Sequence, residues 1–271
     1  MAGPRARTYG APGRSGMHAG LSAMVLSLSI FGGLSTMACG RPHSGHELLP
    51  GLSTEILLFA GRGTSPNDVA ALERVLTEGR FGYATASSQQ LDAMGEPELA
   101  AYRLLIVPGG NFVDIGNGLG AATPARLRTA TGRGLNYLGI CAGAFFAGHS
   151  PYNGLNLTSG VRFPFYGAED HGIRKTALAI STPEGPTLDQ YWEDGPQLGG
   201  WGDVVAKYPD GTPAVVQGRF GDGWVILTGI HPEAPDSWRR GLTFRTPADA
   251  SHAYAATLID AALNRRRLPH Y

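Results

Sequence analysis

Four short apolar runs separated by segments of helical periodicity constrain this chain's fold most. Residues 54–61 read TEILLFAG, 81–87 FGYATAS and 103–110 RLLIVPGG, and Leu135, Tyr137, Leu138 and Ile140 continue the series. Strands that are apolar without alternation are covered on both faces. That is the condition of parallel sheets, whose crossovers are usually helices. The segment after the first run agrees. Ser65 suits a helix cap, Pro66 the first helical position and Asp68 an acidic first turn. Val69, Leu72, Val75 and Leu76 then recur at helical spacing to about Gly79. QQLDAM and ELAAY read as short helical pieces, and PARLRTATGRG as a helix closing on Gly132 or Gly134. The expected class is α/β, a doubly wound and mostly parallel sheet.

Residues 151–225 change character. Gly, Pro, Asp and aromatics become frequent, and alternating runs such as TALAIST and PAVVQGRF predict an antiparallel, loop-rich insertion. A strong strand returns at Trp224–Thr228, reached through the turn Gly221-Asp222-Gly223. ASHAYAATLIDAALNRRR predicts a closing helix with Ala255, Leu258, Ile259 and Leu263 on one face and Ser251 as its cap. With 271 residues, 42% hydrophobic and 16% charged, the chain suits one sizeable globular domain, or one domain plus a tail.

The formal net charge is zero and no basic stripe is present, so nucleic acid is not an expected partner. The run Arg265-Arg266-Arg267 is too short to change that. No spacing of Cys and His predicts a metal site, and no cofactor is expected. Two cysteines, Cys39 and Cys141, cannot build a disulfide scaffold.

The N-terminus reads as an address. Residues 1–20 carry Arg5, Arg7 and Arg14 and no acid, and Leu21–Ala38 is an apolar stretch diluted by Ser and Gly. This is the pattern of a secretory signal and is short for a membrane span. The expected organisation is a signal peptide over 1–38, a polar Gly/Pro linker over 39–53 and a globular domain over 54–271. LSTMACG around Cys39 resembles a bacterial lipobox, with Thr36 where that pattern prefers Leu. The expected location is therefore exported, periplasmic or cell-envelope. Cys39 is either a lipid attachment site or the unmodified first residue. Membrane contact is expected only through the signal or the lipid.

Chemistry is predicted at the fourth apolar run. Gly139-Ile140-Cys141-Ala142-Gly143 has the spacing of a nucleophile elbow, a tight turn that pushes a side chain into a cleft. A free thiol has a reference pKa of about 8.5 and needs a base to act near neutrality. The base in turn needs an orienting acceptor. His231 follows a buried strand and is the candidate base. Glu233, two residues on across Pro232, can hold the imidazole. Acyl chemistry also needs N–H donors for an oxyanion. Ala142 is one candidate, and Gly109 or Gly110 of the PGG turn is the other. The alternative reading of Cys141 is a small packed hydrophobe.

PGG after a strand, then GICAG, then TGIHPE, in that order, resembles the class I glutamine amidotransferase-like superfamily. LLFAGRGTS, LLIVPGGN, LGICAGAFFAG, YWEDGPQL and GWVILTGIHPE are more similar still to the N-terminal domain of biotin–protein ligases, including stand-alone bacterial versions. The resemblance covers about residues 54–264. It implies a flavodoxin-like sheet and a triad of Cys141, His231 and Glu233. No ligase catalytic domain follows, so ligation of biotin is not implied. Where glutaminases of the superfamily carry Gln, two residues after the second elbow glycine, this chain carries Phe145. Phe145, Tyr191, Trp192 and Glu193 are therefore the substrate-side candidates. The expected partner is a small-molecule or peptide-like acyl or amide substrate. The expected function is that of a cysteine-nucleophile hydrolase or amidase-like protein, with a non-catalytic binding or regulatory module as the alternative. Neither the substrate nor the oligomeric state is legible.

Overall fold

Each apolar run is too short to bury itself, and in the computed structural model they pair side by side. The structure describes residues 53–167 and 174–271. The expected signal peptide, Cys39 and the linker as far as residue 52 lie outside them. The first part of the chain alternates strand and helix: β1 (Ile56–Phe59), α1 (Pro66–Glu78), β2 (Tyr83–Ala86), α2 (Ser88–Ala93), α3 (Glu96–Ala100), β3 (Leu104–Val107), α4 (Phe112–Asn117), α5 (Thr123–Gly132), β4 (Asn136–Ile140) and α6 (Ala142–Ala147). The second part is mostly strands: β5 (Lys175–Ile180), β6 (Leu188–Glu193), β7 (Asp203–Lys207), β8 (Pro213–Phe220) and β9 (Gly223–Thr228), followed by α7 (Asp236–Arg239) and α8 (Ala248–Leu263).

The main sheet has the order β2-β1-β3-β4-β9-β8-β7. Its members from β2 to β9 are parallel, and β8 and β7 return antiparallel. This is the α/β, flavodoxin-like, mostly parallel sheet expected from the sequence. The antiparallel insertion is divided: β7 and β8 extend the main sheet, and β5 and β6 form a separate two-stranded ribbon.

Alternation along the strands feeds two apolar layers. Ile56, Leu58, Leu104 and Ile106 pack with Leu72 and Leu76 of α1 and Leu258 and Ile259 of α8. Leu57, Phe59, Leu105 and Val107 face Leu91, Ile115, Leu127 and Phe146 on the other side. Covering both faces is why these strands read as unbroken apolar runs.

Two expectations need correction. The closing helix starts at Ala248, with Pro247 in extended conformation at its cap, so Ser251 does not cap it. Pro247 sets the boundary because its ring favours the turn into a helix over continuing one. Ser251 is buried within the helix, and its hydroxyl accepts a long hydrogen bond from Arg239. The sequence reading also passed over α4. FVDIGN is a poor helix former, but the Asn111 side chain accepts from the N–H groups of Val113 and Asp114 and caps it.

The carboxyl ends of β3, β4 and β9 lie together on one edge of the sheet, and the PGG turn, Cys141 and His231 all follow them. Open α/β sheets bind ligands beyond that edge.

Candidate active site

The elbow is held by backbone contact. Cys141 sits between β4 and α6 at φ 49°, ψ −103°, a conformation costly for a residue with a side chain. Its N–H donates to the Thr228 carbonyl on β9 at 2.8 Å. Gly143 passes so close to β3 that an added Cβ would lie 2.0 Å from the Val107 carbonyl oxygen. Its N–H donates to the Pro108 carbonyl at 3.1 Å and its own carbonyl accepts from the Tyr137 hydroxyl at 2.7 Å. Strand and helix are thus pinned on both sides of the thiol. Cys141 is 7% exposed, and Sγ lies 3.6 Å from the Glu193 carbonyl oxygen, a neutral acceptor for S–H.

The base is held by side chains. After β9 the Thr228 hydroxyl accepts from the Ile230 N–H at 3.2 Å and donates to the Ile230 carbonyl at 3.1 Å, which turns the chain toward the cleft. The His231 N–H donates to the Tyr191 carbonyl at 2.8 Å. His231 Nδ1 then lies 2.8 Å from Glu233 Oε1 and 3.0 Å from Asp68 Oδ1. Both partners of the imidazole are therefore on Nδ1, and among the described residues Nε2 has none. The rings of Tyr191 and Trp238 pack edge-on against the imidazole, each with centroids 5.8 Å from it.

Burial alone would lower the His231 pKa, but Glu233, Asp68 and Cys141 raise it well above its ordinary value. Burial pushes Glu233 up to about 7, against the pull of His231. Burial would raise Asp68 as well, but His231 and the hydrogen bond from Ser65 hold it below the usual carboxylate value.

These groups border one cleft of about 470 Å³. Cys141, Ala142, His231, Asp68 and Gly110 are among the residues that line it. Ala142 is the first residue of α6, where an N–H has no partner within the helix. Gly110 has φ +140°, and neither its N–H nor that of Ala142 makes a hydrogen bond among the described residues. Phe112, Phe145 and Phe165 form an aromatic wall, with Phe145 centroids 4.8 Å from Phe112 and 4.7 Å from Phe165. Glu193 and Asp194 also line the cleft, and among the described residues no basic side chain other than His231 does.

The structure thus brings Cys141, His231, Ala142, Gly110, Phe145 and Glu193 to the cleft, with Glu233 fully buried behind the imidazole. It does not bring Gly109, Tyr191 or Trp192 there. Gly109 lies behind Asp68 and His231, with its carbonyl accepting from the Ser65 N–H at 2.9 Å. Tyr191 buttresses His231, and its hydroxyl bonds the Glu193 carboxylate. Trp192, its neighbour on β6, is in the core against Tyr166 because successive strand residues face opposite ways.

Sequence reasoning missed Asp68, Phe112 and Phe165 as cleft residues. Asp68 left a signal. It lies four residues before Leu72 and seven before Val75, an acid on the apolar face of α1. The donor atoms of Asp68, His231 and Glu233 lie within 4.8 Å of one another, close enough to consider a cation. Nδ1 is already hydrogen-bonded to Glu233 and faces Asp68 at 3.0 Å, so the imidazole has no free nitrogen between these carboxylates to share in holding one. A second hollow, of about 530 Å³, opens at the opposite edge of the sheet. Its arginines are engaged, Arg103 with Glu55, Arg133 with Glu96 and Arg265 with the Gly134 carbonyl.

The fold is that of the class I glutamine amidotransferase-like proteins. A chain of PurLQS from Thermotoga maritima superposes with a TM-score of 0.54 at 14% identity, covering 77% of this chain and 99% of its own. Residues 54–152 match the family "Biotin-protein ligase, N terminal". The biotin–protein ligase of Schizosaccharomyces pombe is 26% identical over 167 residues, which are 51% of this chain. The chain spans about a quarter of that relative's length (26%). The family resemblance read from the sequence motifs is thereby borne out.

Proposed function

We propose that this protein is a cysteine-nucleophile hydrolase or amidase that works through a thioester. The observation that carries this reading is the pairing of His231 Nδ1 with buried carboxylates, which leaves Nε2 to serve the Cys141 thiol that lines the same cleft. In the proposed reaction the Cys141 proton already rests on His231 Nε2, and the sulfur attacks the substrate carbonyl carbon. The oxygen becomes an oxyanion received by the N–H groups of Ala142 and Gly110. As the C–N or C–O bond breaks, Nε2 returns the proton to the leaving group. Water then attacks the thioester, giving its proton to His231. The acid leaves, and the proton that water gave stays on His231, restoring the starting pair.

The cleft's walls narrow the substrate. Phe145 contributes no hydrogen bond and joins Phe112 and Phe165 in an apolar surface. A free amino acid such as glutamine brings a carboxylate, which this cleft would meet with Glu193 and Asp194. The expected substrates are bulkier, more apolar esters or amides, with negligible ammonia release from L-glutamine. The test is a panel of acyl esters and amides with mass-spectrometric trapping of a thioester at Cys141, run beside a glutamine ammonia assay. Acylation lost in Cys141→Ala supports the reading. Glutamine turnover at about 1 per second or more would replace it with a glutaminase. A thiol that no member acylates would favour a binding module.

For the chain's organisation, the proposal is a signal peptide over 1–38, a linker over 39–53 and an exported domain over 54–271, with Cys39 as the lipid site. Intact-mass analysis of protein from the native host tests it. Loss of the first 38 residues with added lipid mass on Cys39 is expected, and a full-length cytosolic chain would contradict it.

A further inference from the structure

The proposed triad leaves one buried group without a part. Asp68 comes from α1, a different element from the loop that carries His231 and Glu233. Its side chain is 6% exposed, yet its carboxylate lies 3.0 Å from the Nδ1 that Glu233 approaches at 2.8 Å. Nδ1 carries one hydrogen, and two carboxylates converge on it. Two buried carboxylates at this spacing cannot both remain charged unless a positive charge stands between them or one takes up a proton. Their surroundings differ. Glu233 has no exposed surface, whereas Asp68 borders the cleft and can be solvated from that side. The PGG turn closes over the contact, since a Cβ on Gly109 would lie 2.7 Å from both Asp68 Oδ1 and His231 Cε1.

We propose that Asp68 is a positioning residue of this site. It is the standing counter-ion of His231, keeping the imidazole protonated and Nε2 turned to Cys141, while Glu233 fixes the ring from behind. The groups facing His231 are Glu233 from its own loop, Asp68 from α1, Cys141 from the elbow and Tyr191 from β6, itself bonded to Glu193. Trp238 of α7 adds only an uncharged ring. The direction of the shifts agrees. Asp68 stays below the usual carboxylate value while burial takes Glu233 to about 7, so near neutrality Asp68 is the member that keeps its charge. The consequence for sulfur rests on the Cys141–His231 reading, but the pairing itself does not.

The test is an NMR titration of the His231 imidazole in the full chain, with its signals assigned by their loss in His231→Ala. In Glu233→Gln, His231 is expected to stay protonated well above the ordinary midpoint of about 6.5, because Asp68 remains. In Asp68→Asn, which keeps the shape and removes the charge, the midpoint should fall by about one unit or more relative to wild type. Alkylation of Cys141 at pH 6.5 should slow about tenfold with it. An ordinary midpoint in Glu233→Gln, or an unchanged one in Asp68→Asn, overturns the proposal. Should Asp68→Asn fail to fold, the Glu233→Gln arm decides alone, since it leaves Asp68 in place. A His231→Ala thiol that alkylates as fast as wild type would overturn the proposed function and leave the Asp68–His231 pairing standing.

Discussion

The elbow that carries Cys141 and the loop that carries His231 face each other across one cleft, the first fixed by backbone contact and the second by charge. Around Cys141 the restraints are glycines without room for a Cβ, main-chain hydrogen bonds and a positive φ. Around His231 they are two carboxylates on one nitrogen and two aromatic rings. A site built this way separates its tasks. The nucleophile must stay in a strained position, which rigid packing can enforce. The base must gain and lose a proton, which requires a field set by neighbouring charges. The elbow should therefore fail when atoms are added, and the loop when charges are removed.

The largest effect is expected at the elbow. Gly143→Ala places a Cβ 2.0 Å from a main-chain oxygen of β3, where no side chain can yield. A loss of about 3 kcal/mol is expected by chemical denaturation. A wild-type midpoint would show that strand and helix can separate, and the contrast would collapse.

On the charged side, the effect depends on pH. The Glu233 value of about 7 exceeds the unfolded value of about 4.3, so the folded state binds more protons between them. Its contribution is complete below the unfolded value and is lost as pH rises through the folded one. His231, also raised, acts in the same sense at higher pH. Asp68 acts oppositely, losing its contribution as pH falls through its lowered value. Wild type should lose about 2 kcal/mol more than Glu233→Gln between pH 5 and 7. Parallel stability curves for the two proteins would mean that Glu233 does not titrate there.

The smallest effect is expected from Tyr191→Phe. It removes the hydroxyl bond to Glu193 but keeps the main-chain bond from the His231 N–H to the Tyr191 carbonyl. A cost of about 1 kcal/mol is expected, with Cys141 reactivity within about twofold of wild type. A larger loss of reactivity would place the Tyr191 hydroxyl among the groups that hold the base.

The same contrast explains what the sequence disclosed. The elbow was legible because its restraints are local: GICAG names its own glycines, and the unbroken apolar run before it announces a strand covered on both faces. His231 and Glu233 were legible for the same reason, being two residues apart at a strand end. Asp68 reads from the sequence only as a first-turn acid, because its partner is more than 160 residues away and nothing local reports that α1 starts beside the PGG turn. Phe112 was hidden in a helix whose composition argues against one, and Phe165 in a loop without periodicity. Tyr191 and Trp192 looked alike as neighbours in YWEDGP, but the strand sends them to opposite faces.

The central claim, that His231 activates Cys141, is tested most directly by the alkylation rate of Cys141. The rate is read by peptide mass at pH 6.5 in wild type, His231→Ala and the denatured chain. Wild type should react well above the denatured chain, and His231→Ala should be slower than wild type by well over tenfold. A wild-type thiol that reacts no faster than in the denatured chain would contradict the account.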